Sequence, residues 1–552
     1  MKTFICFCLL LICIPLRAQD LHTALEMLNR SELPDLLIAQ GLIAVEDSPG
    51  DFTRAWNAYR AHRHQIVNSP SPDLLSRLQQ LFAHFHDLRI QGLSAGGAFG
   101  NRLSYAVSDL LQPVGRDLAY LQMRAGQVEQ SLATAEQTHA RALVDWMART
   151  HPTRRLERPV GITGSIGGVA VADLEEIRGI PAQIDAPLLI YLACGDYFLA
   201  WTVDIGGRIA GAIIPDPWAQ IDAVLRHLPY LATAAELGSS TRSGRGLRKL
   251  GEKALSPEQL NDALHALYLV LFPAPLRSRL SDSERLVIVA DDLLHYIPFC
   301  ALRTDADEYL IQRAEIVYWP SVTGRLLIED AAHVRSLRRS AASPPLLMGL
   351  SQFPASYHRE DGDQDLQISF DPLPAAEEEV KTLADIMDAS PCIGSQATRI
   401  YLLEKGSGSS IIHLATHGYL DSQYPEQSFL ALSDGLLTAR DLYQLDRGIR
   451  AEFVMMSACQ TGLGRLHPDS VIGLTNAFLI CGANAVGSTL WQIPDAATAS
   501  LMLGFYRDLA AGRDLATSLR NAQLQALDDP ATSAPFNWAA FKITGRANNP
   551  LR

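Results

Sequence analysis

Ser410–Gly418 reads SIIHLATHG and Glu452–Gly464 reads EFVMMSACQTGLG. Each is a short apolar run that ends at a reactive side chain with glycine close by: His417 before Gly418 in the first, Cys459 before TGLG in the second. Apolar runs of four to eight residues bounded by turn signals read as strands buried on both faces. Three more of this kind occur, in RLVIVADDLLHYIPFCALR (Arg285–Arg303), LLMGLS (Leu346–Ser351) and NAVGSTLW (Asn484–Trp491), and EEEVKTLADIMD (Glu377–Asp388) has helical periodicity. Earlier, APLLIYLACGDYFLAWTVDIGGRIAGAIIP (Ala186–Pro215) offers β-rich runs around Gly195 and Gly206–Gly207 and reads as a hairpin. Doubly buried strands alternating with helices predict an α/β fold, a mainly parallel sheet flanked by helices. In such sheets the chemistry gathers at the carboxyl ends of the strands.

His417 and Cys459 both fall just past such an end, so neighbouring strands would bring imidazole and thiol to one cleft. A thiol is only slightly ionised near neutral pH, and a neighbouring imidazolium lowers its pKa toward the reactive thiolate. The backbone N–H groups of Gly418 and Cys459 are then placed to stabilise an oxyanion. Trp491 and Asp495 follow the last strand and are candidate substrate-binding residues, the acid favouring a basic substrate side chain. The competing reading makes Asp495 the N-cap of AATASLMLGFYRDL. Asp434, before Gly435, reads as a turn residue rather than a third catalytic member. His413 reads as a core residue: two histidines four apart on a strand do not form a zinc pair, and no third ligand of matching kind lies near. Neither metal nor cofactor is expected.

Taken together, HLATHG, SACQTG, GLTNAFLICGANAVGSTLW, DAATASLMLGFYRDL and FNWAAF resemble the CHAT family, caspase-like peptidase domains related to caspases and separases and often carried behind tetratricopeptide repeats. The resemblance runs in order from about Pro159 to Gly545. It implies tandem caspase-like lobes, an inactive one over 151–345 and an active one over 346–552, with a His417–Cys459 dyad that cleaves peptide bonds. In the inactive lobe, HYIPFCA carries His295 and Cys300 without flanking glycines, and Cys300 reads as core.

The remaining chain frames this domain. Residues 1–18, MKTFICFCLLLICIPLRA, have the charged start, apolar block and small final residue of a secretory signal peptide, too short an apolar block to span a bilayer. An exported, periplasmic or secreted protein without a stable membrane span follows. Residues 19–150 are expected to be an all-α N-terminal domain. Its end, LAYLQMRAGQVEQSLATAEQTHARALVDWM, reads either as a degenerate tetratricopeptide-type pair turning at Gly126, with Tyr120, Leu132, Ala133 and Ala140 packing, or as a plain helical bundle. Either form offers a protein partner a docking surface. A formal net charge of −13 argues against nucleic acid as a partner. The basic cluster from Arg242 to Lys253 sits in a Gly/Ser-rich stretch that reads as a solvated loop, as do Gly238–Gly246 and Tyr357–Gln367. Five cysteines follow the leader, an odd number at wide spacing, so no disulfide framework is expected. Protein or peptide is the expected substrate. The rival reading is a non-catalytic caspase-like scaffold that binds its partner through the helices.

Overall fold

The computed structural model describes residues 97–139, 171–225, 256–338 and 344–548, with short breaks at 281–282, 362–363, 420–424, 446–447, 458–464, 468–469 and 492, and a few positions between 75 and 83 and at 144 and 147. The leader at 1–18, the linker at 151–159, the basic loop and Cys459 lie outside the described residues. The chain divides into two compact units, 1–145 with 154–171 and 146–153 with 172–552.

The described part of the first unit is helical: α1 (Gly97–Arg124) and α2 (Val128–Thr138) join through a turn at Gly126, whose φ of +77° is a left-handed conformation suited to glycine. Leu132 and Ala135 of α2 are buried, as are Leu118, Tyr120 and Leu121 of α1. Polar side chains stitch the pair: Ser131 Oγ donates to Ala119 O at 2.6 Å and Thr134 Oγ1 to Gln122 Oε1 at 2.8 Å. Ala133, expected on the packed face, is half-exposed; the helical period turns Ser131, Leu132, Ala135 and Thr138 inward instead. Ala140 lies outside the described residues.

In the second unit a helix over Leu174–Ile184, capped by Asp173, precedes an antiparallel meander, β1 (Leu188–Cys194), β2 (Tyr197–Val203) and β3 (Ile209–Pro215). The stretch expected to form one hairpin makes two, because Gly195 and Gly207 both adopt positive φ and each reverses the chain. After helices over Trp218–Leu225 and Pro257–Leu271 come β4 (Arg285–Val289), β5 (Glu315–Tyr318) and α3 (Val322–Arg338). After β6 (Leu346–Gly349), the stretch read as an exposed loop is a hairpin, β7 (Tyr357–Asp361) with β8 (Gln364–Ile368). Then follow α4 (Pro374–Ile386), β9 (Pro391–Ile393), α5 (Arg399–Lys405) and β10 (Ile411–Ala415). A small sheet of β11 (Gly418–Tyr419), β12 (Phe429–Leu432) and β13 (Gly435–Thr438) leads to α6 (Ala439–Tyr443). The chain continues with β14 (Phe453–Ser457), the hairpin of β15 (Arg465–His467) and β16 (Ser470–Ile472), α7 (Leu474–Ile480) and β17 (Ala485–Thr489). It ends with α8 (Asp495–Ala510), α9 (Leu515–Asp528) and β18 (Phe541–Gly545).

Eleven strands form one mixed sheet in the order β3-β2-β1-β4-β5-β18-β17-β14-β10-β6-β9. Seven of its ten pairings are parallel. The apolar runs are here because every residue of β1, β10 and β17 is buried, so neither face tolerates charge. Helices α4, α8 and α9 pack in sequence against one another on one face. Right-handed crossovers running back from β9 to β10, β14 and β17 place α5, α6 and α7 on the other. Close approach of α4 depends on Gly349: a Cβ there would lie 2.8 Å from Ala376 O and 2.9 Å from Val380 Cγ2.

The sheet runs unbroken across residue 345, so both expected lobes are halves of one sheet. The seam is β18, parallel to β5 and antiparallel to β17. The halves therefore run in opposite directions, and the carboxyl ends of β4 and β5 face the edge opposite to those of β10, β14 and β17. His295 and Cys300 follow β4 on the connection that returns to the start of β5, where the His295 carbonyl meets Lys542 of β18 and the Cys300 thiol meets Ala539 just before that strand. Cys300 is core, as expected: it is buried, burial pushes its thiol up to about 12, and Sγ donates to Ala539 O at 3.5 Å.

Lys542, at the centre of the seam, is buried with Nζ donating to His295 O at 3.2 Å and lying 5.5 Å from the centre of the Tyr318 ring. Burial lowers its pKa from 10.5 to about 8. The unfolded chain then holds more protons between about pH 8 and 10.5, so Lys542 makes stability rise with pH through that window. Lys542→Met is expected to stabilise the fold at pH 7 by up to about 3 kcal/mol, the energy of a shift of this size. Paired denaturant titrations should show that advantage shrinking by pH 10; a constant difference would contradict the burial argument.

Candidate active site

Strands β10 and β14 pair in parallel over five consecutive partners, from Ile411↔Phe453 to Ala415↔Ser457. His417 is two residues beyond the end of β10. Its carbonyl accepts from Ala431 N at 2.9 Å, and Gly418 pairs with Leu430 across β11 and β12, which pins the backbone on both sides of the imidazole. The ring stacks on Phe370 (centroids 4.9 Å, planes 22° apart) and lies 4.8 Å from Phe353. Nε2 sits 2.8 Å from the carbonyl of Asp371. A carbonyl only accepts, so Nε2 carries the proton and Nδ1 keeps its lone pair, the arrangement a general base requires. Cys459, two residues beyond the end of β14, lies outside the described residues.

A cleft of about 70 Å³ opens at the carboxyl ends of three strands, where Ala415, Thr416, Ser457 and Thr489 line it. Its walls come from the starts of α4 and α8, with Leu373, Ala376, Asp495 and Thr498. Trp491 also lines it but is fully buried, its indole N–H donated to Phe536 O at 2.9 Å, so this side chain is a fixed wall. Asp495 is exposed in the first turn of α8, where its charge suits the helix dipole; Pro494 takes the N-cap position, which corrects the expectation of Asp495 as cap.

His413 is 0% exposed. Tyr506 Oη lies 2.9 Å from its Nδ1, and Nε2 lies 3.0 Å from Glu379 Oε1. Burial, and then the Glu379 charge, push the Tyr506 phenol well above its usual range, so it remains a protonated donor toward Nδ1. His413 is thus the satisfied core residue its sequence position indicated. Asp434 is a turn residue that also closes the start of α5, where Oδ1 and Oδ2 accept from Arg399 N at 2.5 Å and Ile400 N at 3.3 Å. Among the described residues no cluster of three or more His, Cys, Asp and Glu is placed to hold a metal ion. None of their helices is long and apolar enough to cross a membrane.

Four residues here had not been singled out. Asp371 acts through its backbone, which no residue type announces, and Phe353 and Phe370 are distant in sequence from His417. Glu379 did leave a signal. Ala376, Val380 and Leu383 form the buried stripe of α4, and position 379 falls on it, so one acid of EEE had to turn inward.

The CHAT domain family matches this sequence over residues 261–546. Tetratricopeptide repeat protein 28 of Mus musculus and of Homo sapiens are each 27% identical over 339 residues, covering 52% of this chain and 13% of each relative. Among solved structures, the Saccharomyces cerevisiae separase–securin complex matches with 11% identity and a TM-score of 0.46, over 93% of this chain and 42% of the other. The complex of Porphyromonas gingivalis RgpB pro- and mature domains matches with 12% identity and a TM-score of 0.33, over 58% of this chain and 78% of that one.

Tyr506→Phe leaves a fully buried imidazole nitrogen without its donor and is expected to lower stability by about 1–3 kcal/mol. His417→Ala, at a partly exposed ring, should cost less than about half of that. Denaturation midpoints of the two variants would separate the fully buried structural histidine from the partly exposed one.

Proposed function

The chain belongs to the CHAT domain family, and on that premise we propose that it is an exported cysteine endopeptidase acting through His417 and Cys459. One observation carries the reading. Ala415 and Ser457 are partners in a parallel register, and from each the same two-residue step leads to the imidazole and to the thiol. Side chains alternate along a strand, so equal steps past paired residues favour the same face.

In the proposed reaction His417 Nδ1 takes the Cys459 proton, and the thiolate attacks the scissile carbonyl. The N–H groups of Gly418 and Cys459 receive the oxyanion. The imidazolium, its Nε2–H held by Asp371 O, gives the proton to the leaving amine. Water activated by the same nitrogen then releases the acyl group from sulfur. No cofactor enters. Trp491 and Asp495 stand beside the substrate path as wall and charge. The N-terminal helices are the proposed docking site for a protein partner, and export ends in cleavage after Ala18.

Iodoacetamide at near-neutral pH is the first test. Cys194, Cys300, Cys392 and Cys481 are buried, and burial pushes the thiols of Cys392 and Cys481 up to about 11 and 12, so all four should react slowly. Fast labelling is expected at Cys459 alone and is expected to disappear in His417→Ala. Sluggish labelling at Cys459 would instead favour the scaffold reading. Cleavage of a peptide library should fall at least about 10³-fold in Cys459→Ala, and the secreted chain should begin at Gln19 by mass spectrometry.

A further inference from the structure

The two outer strands of the main sheet are built differently. β9 is blunted: it has three residues and begins at Pro391. β3 has seven, IAGAIIP, with no charged side chain among them. It pairs with β2 one residue to one from Val203↔Ile209 to Tyr197↔Pro215, so no bulge turns its outer side away. The bonds that flank this ladder fix which groups face outward. Asp204 N donates to Arg208 O at 3.1 Å and Asp216 N to Asp196 O at 3.0 Å, so the even-numbered positions bond to β2. Alternation along an antiparallel pair then turns the N–H and C=O of Ile209, Gly211 and Ile213 to the outside. Among the described residues no strand pairs with that side, and Ile209–Ile213 are half-buried at each position.

We propose that β3 is a self-association edge, which pairs antiparallel with β3 of a second copy of this chain across a two-fold axis at Gly211. The sequence of the edge is what selects a second copy as the occupant. Ile209–Ile213 reads IAGAI in either direction, so a two-fold at Gly211 sets each residue against an equal one: Ile209 against Ile213, Ala210 against Ala212 and Gly211 against itself. The three outward-facing positions of each copy exchange six hydrogen bonds, and Pro215, which has no N–H, ends the ladder at both ends. Ile209 and Ile213 form two apolar cross-strand pairs on one face. Charge complements the same register. Arg208 stands opposite Ile214 of the other copy and diagonal to its Asp216 on one face, a separation of about 7–8 Å that a long side chain spans. Arg208 is 76% exposed even while its Nε holds Asp204, and Asp216 is exposed. A parallel pairing, or a slip of one residue, loses both the matched isoleucines and the opposed charges. The association needs neither His417 nor Cys459.

Sedimentation equilibrium of the mature chain over roughly 1 to 300 µM tests the edge, and a dimer that dissociates on dilution within that range is expected of so small an interface. Gly211→Pro removes two of the six hydrogen bonds and leaves the β2 ladder intact, because the amide of Gly211 points away from β2; it should weaken the dimer at least about tenfold. Should that variant fail to fold, Ile213→Lys sets a charge against Ile209 of the other copy and is expected to have the same effect. Hydrogen exchange at the amides of Ile209, Gly211 and Ile213 should slow as the concentration rises through the transition. A chain that stays monomeric throughout overturns the proposal. So does a dimer of unchanged affinity in whichever of the two variants folds, since it would lie on another surface. Exchange at these amides that is slow at every concentration would mean that the chain closes its own edge, and overturns it equally.

Discussion

The parallel register of β10 on β14 is the constraint from which the candidate site follows. Five successive backbone partners fix which residues leave the two strands at the same height. A slip of one residue would turn each side chain to the opposite face of the sheet. His413 would then leave Tyr506 and Glu379, and the residues after Ala415 would no longer open on the cleft between α4 and α8. Burial on both faces enforces the register: His413 is the one titratable side chain of β10, and it is paired on the helix side.

Around that register the protein gives different roles to two imidazoles four positions apart. His413 is closed in by a phenol and a carboxylate, and serves packing and the placement of charge. His417 is held by aromatic rings and a backbone carbonyl, which fix its orientation while leaving one nitrogen available. The helices that cover His413 also wall the cleft, so the buried pairing and the open site share a frame. Gly349 matters to both, because a side chain at that position would push α4, and Glu379 with it, away from the sheet.

Much of this was legible in the sequence. The strands β4, β6, β10, β14 and β17 were visible as unbroken apolar runs, since full burial leaves no alternation to read. β18 was hidden by Lys542, a charge in the middle of a buried strand that only the His295 carbonyl and the Tyr318 ring explain. The hairpin of β7 and β8 was hidden by a run of charged and polar residues that reads as loop. His417 announced itself by the glycine beside it, whereas its partner Asp371 contributes a carbonyl common to every residue. Glu379 stood on an apolar helical stripe, a discord in the pattern whose meaning appears once His413 is seen opposite.

The seam strand has a consequence for how the protein is made. Among the described strands, Phe541–Gly545 alone joins the edge at β5 to the edge at β17, yet it follows both of them in the chain. During translation at roughly 5–20 residues per second, each half-sheet therefore waits with an open edge until that later segment has been made. In that interval the nascent chain presents two unpaired β-edges, the kind of surface that chaperones are suited to shield.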